Sequence, residues 1–189
     1  MPQTTDHELL AAIANRNGEA LRDLYGRHAD RVYNTALSYL QREADAEEVT
    51  QDVFTKIWRS AAGFKSESQV TTWIYRITVN TSLTAIKKRD RYRFLSGAPS
   101  HHDPPDFSHP SAKIEDAETN QTIFSAIYSL APRQKTAFVL SYVEELPRQQ
   151  VADIMGLSLK AVESLLMRAK KGLKDKLKND HPHLGKSKQ

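Results

Sequence analysis

Residues 7–93 contain no proline, whereas residues 95–112 contain four, and that contrast decides most of what the chain can fold into. Proline lacks the backbone donor a helix interior needs and its ring clashes with the preceding turn, so a long proline-free stretch is open to helix throughout. Apolar residues recur there at helical spacing. Leu9, Leu10 and Ile13, then Leu21, Leu24 and Tyr25, predict one or two short helices. A longer helix starting near His28 carries Val32, Tyr33, Ala36, Leu37 and Leu40. Residues 46–59 form another, with Val49, Val53, Phe54, Ile57 and Trp58 on one stripe. After a loop over 61–68, a helix over about 70–93 has Trp73, Ile74, Ile77 and Leu83 buried and cations at its far end. The segment Leu-Ser-Gly-Ala-Pro-Ser-His-His-Asp-Pro-Pro-Asp-Phe-Ser-His-Pro-Ser-Ala that follows has too little apolar content for a core and reads as a tether. Helical patterning resumes near Lys113. The expected fold is all-α: a helical domain over 8–94, a linker over 95–114, a second helical domain over 115–178 and a basic tail over 179–189.

Within the second domain, residues 147–169 carry a helix-turn-helix pattern. Gly156 enters a left-handed turn without a Cβ clash and so can end one helix and redirect the chain. Ala152, four residues earlier, is small enough for a second helix to cross closely. Val151 and Met155 share a face, Leu157 is apolar in the turn, and Ser158 is a good N-cap. Val162, Leu165, Leu166 and Ala169 then recur at helical spacing, leaving Lys160, Glu163, Ser164, Met167, Arg168 and Lys171 outward. Any helical hairpin can end on glycine, but the small residue, glycine, cap and apolar positions all fall where a DNA-reading hairpin needs them. A major groove admits such a helix and displays a distinct donor and acceptor pattern for each base pair.

Charge is unevenly placed. The net charge is +4. Glu43, Asp45, Glu47, Glu48 and Asp52 crowd residues 42–52 against Arg42 alone, while Lys87, Lys88, Arg89, Arg91 and Arg93 crowd residues 87–93 against Asp90. Residues 168–189 hold Arg168 and seven lysines against Asp175 and Asp180. Separate acidic and basic surfaces suggest two kinds of partner, one of them a polyanion. Cysteine is absent, which excludes disulfides, thiolate catalysis and Cys-based zinc sites. No signal peptide and no apolar run of about 20 residues is seen, so a cytoplasmic protein that does not insert in a membrane is expected.

These residues carry a resemblance. Asp45-Ala46-Glu47-Glu48-Val49-Thr50-Gln51-Asp52-Val53-Phe54 and Trp58-Arg59, followed by Phe64, Thr72-Trp73-Ile74-Tyr75-Arg76-Ile77, Asn80 and Lys87-Lys88-Arg89, resemble the second conserved region of bacterial sigma factors. Leu130-Ala131-Pro132-Arg133-Gln134, Val151-Ala152 and Ser164 through Ala169 are similar to their fourth region. A chain holding these two regions and a short linker resembles the extracytoplasmic-function (ECF) sigma factors of the sigma-70 family, over roughly residues 8–178. The resemblance implies core RNA polymerase and promoter DNA as partners, an anti-sigma factor as regulator, and no cofactor or catalytic residue.

It also implies roles. Glu48, Gln51, Asp52, Phe54 and Trp58 would meet core polymerase, a mix of acids and apolar anchors suited to an interface, although Phe54 and Trp58 at i, i+4 also suit a core. Phe64, Lys65, Tyr75, Arg76, Asn80, Lys87, Lys88, Arg89 and Arg91 would bind and open the −10 element. Opening forfeits about 1.4 kcal/mol of stacking per step, which a protein without ATP chemistry must offset by stacking on bases, hydrogen bonding to them and holding phosphates. The same cations would also complement a helix C-terminus, but five in seven residues exceed that need. Arg148, Ser158, Lys160, Ala161, Glu163, Ser164, Met167, Arg168 and Lys171 would face the −35 element. Two departures from the family pattern stand out. Thr84 replaces a common acid, and Glu163 and Leu165 replace common arginines, so the −35 sequence read is expected to differ.

Three rival readings fit the sequence less well. A stand-alone helix-turn-helix regulator would need a dimer, for which no heptad seam is present. A Mg²⁺ nuclease built on the acids of 43–52 lacks a nearby base. A metal site at His101, His102, Asp103 and His109 lacks flanking helices to fix its geometry, so no metal is expected.

Overall fold

A computed structural model describes residues 4–66, 68–96 and 117–180. It divides between residues 107 and 108 into two compact units, each built of helices.

In the first unit, α1 (Asp6–Ala14) opens on a capping box, with Thr5 accepting from the Glu8 backbone and Glu8 accepting from the Thr5 backbone. The second helix, α2 (Gly18–Leu40), starts at Asn17, whose side chain accepts from the amides of Glu19 and Ala20. It ends where Gln41 turns left-handed at φ 62°. The sequence reading breaks this stretch near His28, but α2 runs through it as one helix. The reason is a buried stripe of Ala20, Leu24, His28, Val32 and Ala36. His28 joins that stripe because Asp6 of α1 meets its Nε2 at 2.6 Å. An acidic first turn supports the early start of α3 (Glu43–Ser60), and a 3₁₀ turn (Ala61–Gly63) follows it.

The last helix of this unit, α4 (Val70–Ser96), packs against α2 and α3. Ile74 is buried as expected, but Trp73, Ile77 and Leu83 are only half-buried. The packed face instead alternates Val70, Tyr75 and Val79 with Thr72, Thr78, Thr81 and Ser82. Thr78, Thr81 and Ser82 each donate to the carbonyl four residues back, so small polar side chains sit in the core with their hydroxyls satisfied.

In the second unit, α5 (Ala117–Tyr128) leads to α6 (Pro132–Phe138), with Pro132 at its first turn. The helix widens into a π-helical turn (Val139–Val143), and Glu145 at φ 53° reverses the chain. Next come α7 (Arg148–Met155), Gly156 at φ 63°, and α8 (Leu159–Asp180). Val151, Ala152 and Val162 have no exposed surface at all, so α7 and α8 cross over the alanine as the sequence pattern requires. Ser158 caps α8 by accepting from the Ala161 amide. Ile154 rather than Met155 completes the buried face of α7, since Met155 and Leu165 are half-buried. Most of the proposed linker, and the histidine cluster at 101–109 within it, lie outside the described residues. Among the described residues there is no group of three or more potential metal ligands.

Candidate nucleic-acid and protein interfaces

The outer side of α3 presents Glu48, Gln51 and Asp52 to solvent. Phe54 does not join them. It is 5% exposed beneath Tyr25 of α2, ring centroids 4.6 Å apart, because its position on α3 turns toward α2. The expectation that Phe54 meets a partner is therefore corrected. Tyr25, half-exposed, occupies the surface above it. Trp58 is half-buried under Arg16, whose guanidinium lies 5.5 Å from the ring centroid and donates to the Trp58 carbonyl at 3.2 Å. On their other flank, Glu48 and Asp52 line a groove of about 650 Å³ between α3 and the end of α4, opposite Lys88, Arg91 and Tyr92.

The residues assigned to −10 DNA divide into three groups. Arg76, Asn80, Lys87 and Arg91 are exposed at spacings of four, seven and four, which places them on one stripe of α4 about 22 Å long. Lys88 is also exposed, one position round toward the groove. Phe64 is half-buried in an aromatic cluster, 5.6 Å from His7 and 5.3 Å from Trp73, with Lys65 exposed beside it. Tyr75 and Arg89 serve the fold. Tyr75 is 4% exposed within the α4 core face, so its ring is not offered for stacking. Arg89 donates to Asp45 at 3.0 Å and to the Leu40 carbonyl at 3.3 Å, tying α4 to α3 and to the end of α2. The Tyr75 assignment is corrected, since its side chain fills core volume, while Arg89 holds three helices together.

On α8, Lys160, Glu163, Met167, Arg168 and Lys171 are exposed, and Ala161 and Ser164 are half-buried. Ser164 accepts from Arg168 at 2.8 Å, while the Ser158 hydroxyl is engaged as the helix cap. Arg148, at the start of α7, approaches Glu163 to 3.7 Å, a pair half-exposed on both sides. Two residues absent from the sequence reading stand beside this face. Lys170 lies 4.8 Å from the Tyr142 ring centroid, and Tyr142 packs on Phe138 at 4.9 Å. The signal for Lys170 was available, since it follows Glu163 by seven residues, two helical turns. That for Tyr142 was not, because only the π-helical turn brings it there.

Residues 24–92 match the sequence model of the family described as Sigma-70 region 2, and residues 121–173 match Sigma-70, region 4. The chain is 30% identical over 183 residues to the ECF RNA polymerase sigma-E factor of Haemophilus influenzae, covering 93% of this chain and 96% of that one. It is also 30% identical over 157 residues to the ECF RNA polymerase sigma factor SigE of Mycolicibacterium smegmatis, of which the match spans 60%. Among solved structures, CnrH in complex with the cytosolic domain of CnrY superposes with a TM-score of 0.67 at 26% identity, covering 93% of this chain and 98% of that one. The sigma factor RpoE of Bartonella quintana, in complex with the anti-sigma factor NepR, shares the fold with a TM-score of 0.69 at 22% identity, covering 85% and 98%.

Proposed function

The chain belongs to the ECF branch of the sigma-70 family and directs RNA polymerase to promoters without being an enzyme itself; from that premise we propose how its two units divide the task. The first unit binds core polymerase through Glu48, Gln51 and Asp52, with Tyr25 and Trp58 at the margin. Its α4 stripe of Arg76, Asn80, Lys87 and Arg91 follows the −10 element, with Asn80 reading a base edge and the cations holding phosphates. The cluster around Phe64 supplies an aromatic surface for an unstacked base. The second unit reads the −35 element with Lys160, Glu163, Ser164 and Met167 of α8, and Arg148, Arg168 and Lys171 flank them.

The observation that carries this reading is the exposed polar stripe of α4, which lies outside the helix's buried Val70–Ile74–Thr78–Val79 packing. A helix that only filled a bundle would have no need of an asparagine and three cations aligned over about 22 Å. Regulation by a protein partner, an anti-sigma factor, belongs to the same proposal, since CnrH was solved bound to the cytosolic domain of CnrY and the Bartonella quintana RpoE to the anti-sigma factor NepR. Among the described residues no helix is long and apolar enough to cross a membrane, and the proposed location is the cytoplasm, where polymerase acts.

Competition for core polymerase tests the protein face. Replacing Glu48 and Asp52 by lysine should weaken binding to core at least several-fold and leave the melting temperature unchanged, because reversing exposed charge alters encounter and pairing more than packing. Equal competition by the variant and the unmodified chain would remove this face from the interface.

A further inference from the structure

We propose that His7 is a specificity-determining residue for promoter opening: its imidazole borders the Phe64 ring and reads the edge of the one base stacked there. The inference deepens the reading of Phe64 as the surface that takes an unstacked base, and it rests on that reading. It adds a residue, and with it the helix α1, to the part of the chain that handles the −10 element. Helix α1 lies ahead of the match to Sigma-70 region 2, which covers residues 24–92.

A base drawn out of a duplex loses its stacking and its pairing together, so a protein that keeps it must replace both. Phe64 can replace only the first, because a phenyl face stacks on any base and tells none apart. Discrimination needs a donor or an acceptor at the edge of that face. The His7 ring centroid lies 5.6 Å from that of Phe64, and the two planes are inclined by 48°. Rings at that separation are in contact and admit no base between them. Their inclination leaves a shallow trough instead, in which a base stacked on Phe64 turns its edge toward the imidazole. An imidazole carries at least one N–H donor and, when neutral, one acceptor as well. His7 is exposed and Phe64 half-buried, so both rings have surface left to offer. A contact that served stability alone would bury both.

The imidazole is aimed by its neighbours. Asp6 on one side accepts from Arg27 at 2.9 Å and meets His28 at 2.6 Å. Glu8 on the other side accepts from the Thr5 amide at 2.7 Å and from the Thr5 hydroxyl at 2.9 Å. Arg27 also donates to the Thr4 carbonyl at 2.7 Å, which holds the chain as it enters α1. Leu9, Leu10 and Ile13 are buried, and α1 packs on α2 and on the 3₁₀ turn. Phe64 is fixed independently. Its amide donates to the Ala61 carbonyl at 3.1 Å as the 3₁₀ turn ends, and its ring rests on Trp73 at 5.3 Å. Two rings held by separate packed elements keep one geometry, which is what reading a base edge requires.

The test uses the full chain assembled with core polymerase on promoter fragments. In a randomised −10 selection, His7→Ala should reduce base discrimination at one position by about three- to tenfold, the contribution of one hydrogen bond. Preference at the other −10 positions and in the −35 element should stay the same. His7→Phe keeps a ring beside Phe64 but has no donor, and should show the same loss at the same position. The loss should persist on a promoter whose −10 segment is already unpaired by mismatches, because it concerns the captured base and not the opening. An abasic site at that position should make His7→Ala and the unmodified chain bind equally. Phe64→Leu tests the stacking surface itself and should raise the fluorescence of 2-aminopurine placed at that position.

Unchanged discrimination in His7→Ala, full discrimination in His7→Phe, or an equal drop at every −10 position overturns the role of His7. So does weaker binding of His7→Ala to core polymerase without DNA, which would place the imidazole in a protein interface. If Phe64→Leu raises the fluorescence and the His7 effects are missing, the role of His7 alone falls. If Phe64→Leu changes nothing, the stacking reading of Phe64 falls and takes His7 with it.

Discussion

At Asp6 a single carboxylate holds α1 to α2, accepting from Arg27 at 2.9 Å and meeting the buried His28 at 2.6 Å. Burial works against its charged form, but the bonds to His28 and Arg27 outweigh that cost and its pKa is lowered. A carboxylate whose folded pKa lies below its unfolded value adds stability at neutral pH, and that contribution disappears as pH falls below about 3.8 through the folded value. Asp6→Asn should lower stability by about 1–2 kcal/mol in urea titrations at pH 7. The difference from the unmodified chain should vanish in strong acid. A difference independent of pH would mean that packing rather than charge holds α1 in place. At this scale the sequence was least legible. Phe54, Tyr75 and Arg89 are residue types that suit an interface as well as they suit a core or a tie between helices. Only the rotation of α3 and α4 in the bundle assigns them, and helical spacing does not encode that rotation when apolar residues occur on more than one side. Glu163 is the contrasting case, since its outward position followed from Val162 and Leu166 being inward.

Helix α4 carries two sets of cations with different duties, and substitution should separate them. Lys87→Ala with Arg91→Ala should lower affinity for all promoters alike and reduce the salt slope by roughly 2, because each neutralises one phosphate. Thermal stability should not change. Arg89→Ala should do the reverse. It removes the tie to Asp45 and to the Leu40 carbonyl, so it should cost about 1–3 kcal/mol of stability and leave the salt slope of the folded protein unaltered. Denaturant titration and salt-dependent binding on the same preparations check both outcomes, and a salt-slope change for Arg89→Ala would return that residue to the DNA. Elements were far more legible than residues. The proline-free stretch, the cap at Ser158 and the left-handed Gly156 located α3, α4, α7 and α8 from sequence, because each signal is local. The continuity of α2 was not legible, since it depends on His28 being buried against Asp6, a residue 22 positions away. The π-helical turn was equally hidden, as no residue type specifies it.

For the whole molecule, the chain divides between residues 107 and 108 into two separately packed units. Each unit is expected to keep its own sequence preference, with the join limiting only how far apart the two promoter elements lie. The family resemblance covered both units in the right order and is matched by the two sigma-70 regions over 24–92 and 121–173. Division of promoter reading between the units is the central claim. Its most direct test is a randomised-promoter selection with reconstituted holoenzyme, comparing the unmodified chain with Glu163→Arg and with Asn80→Ala. Glu163→Arg should alter the preferred −35 bases, from pairing with cytosine N4 toward guanine O6 and N7, at about 1–3 kcal/mol per contact, and leave the −10 preference as it was. Asn80→Ala should relax the −10 preference alone. Selections in which either substitution shifted both elements, or neither, would contradict the account.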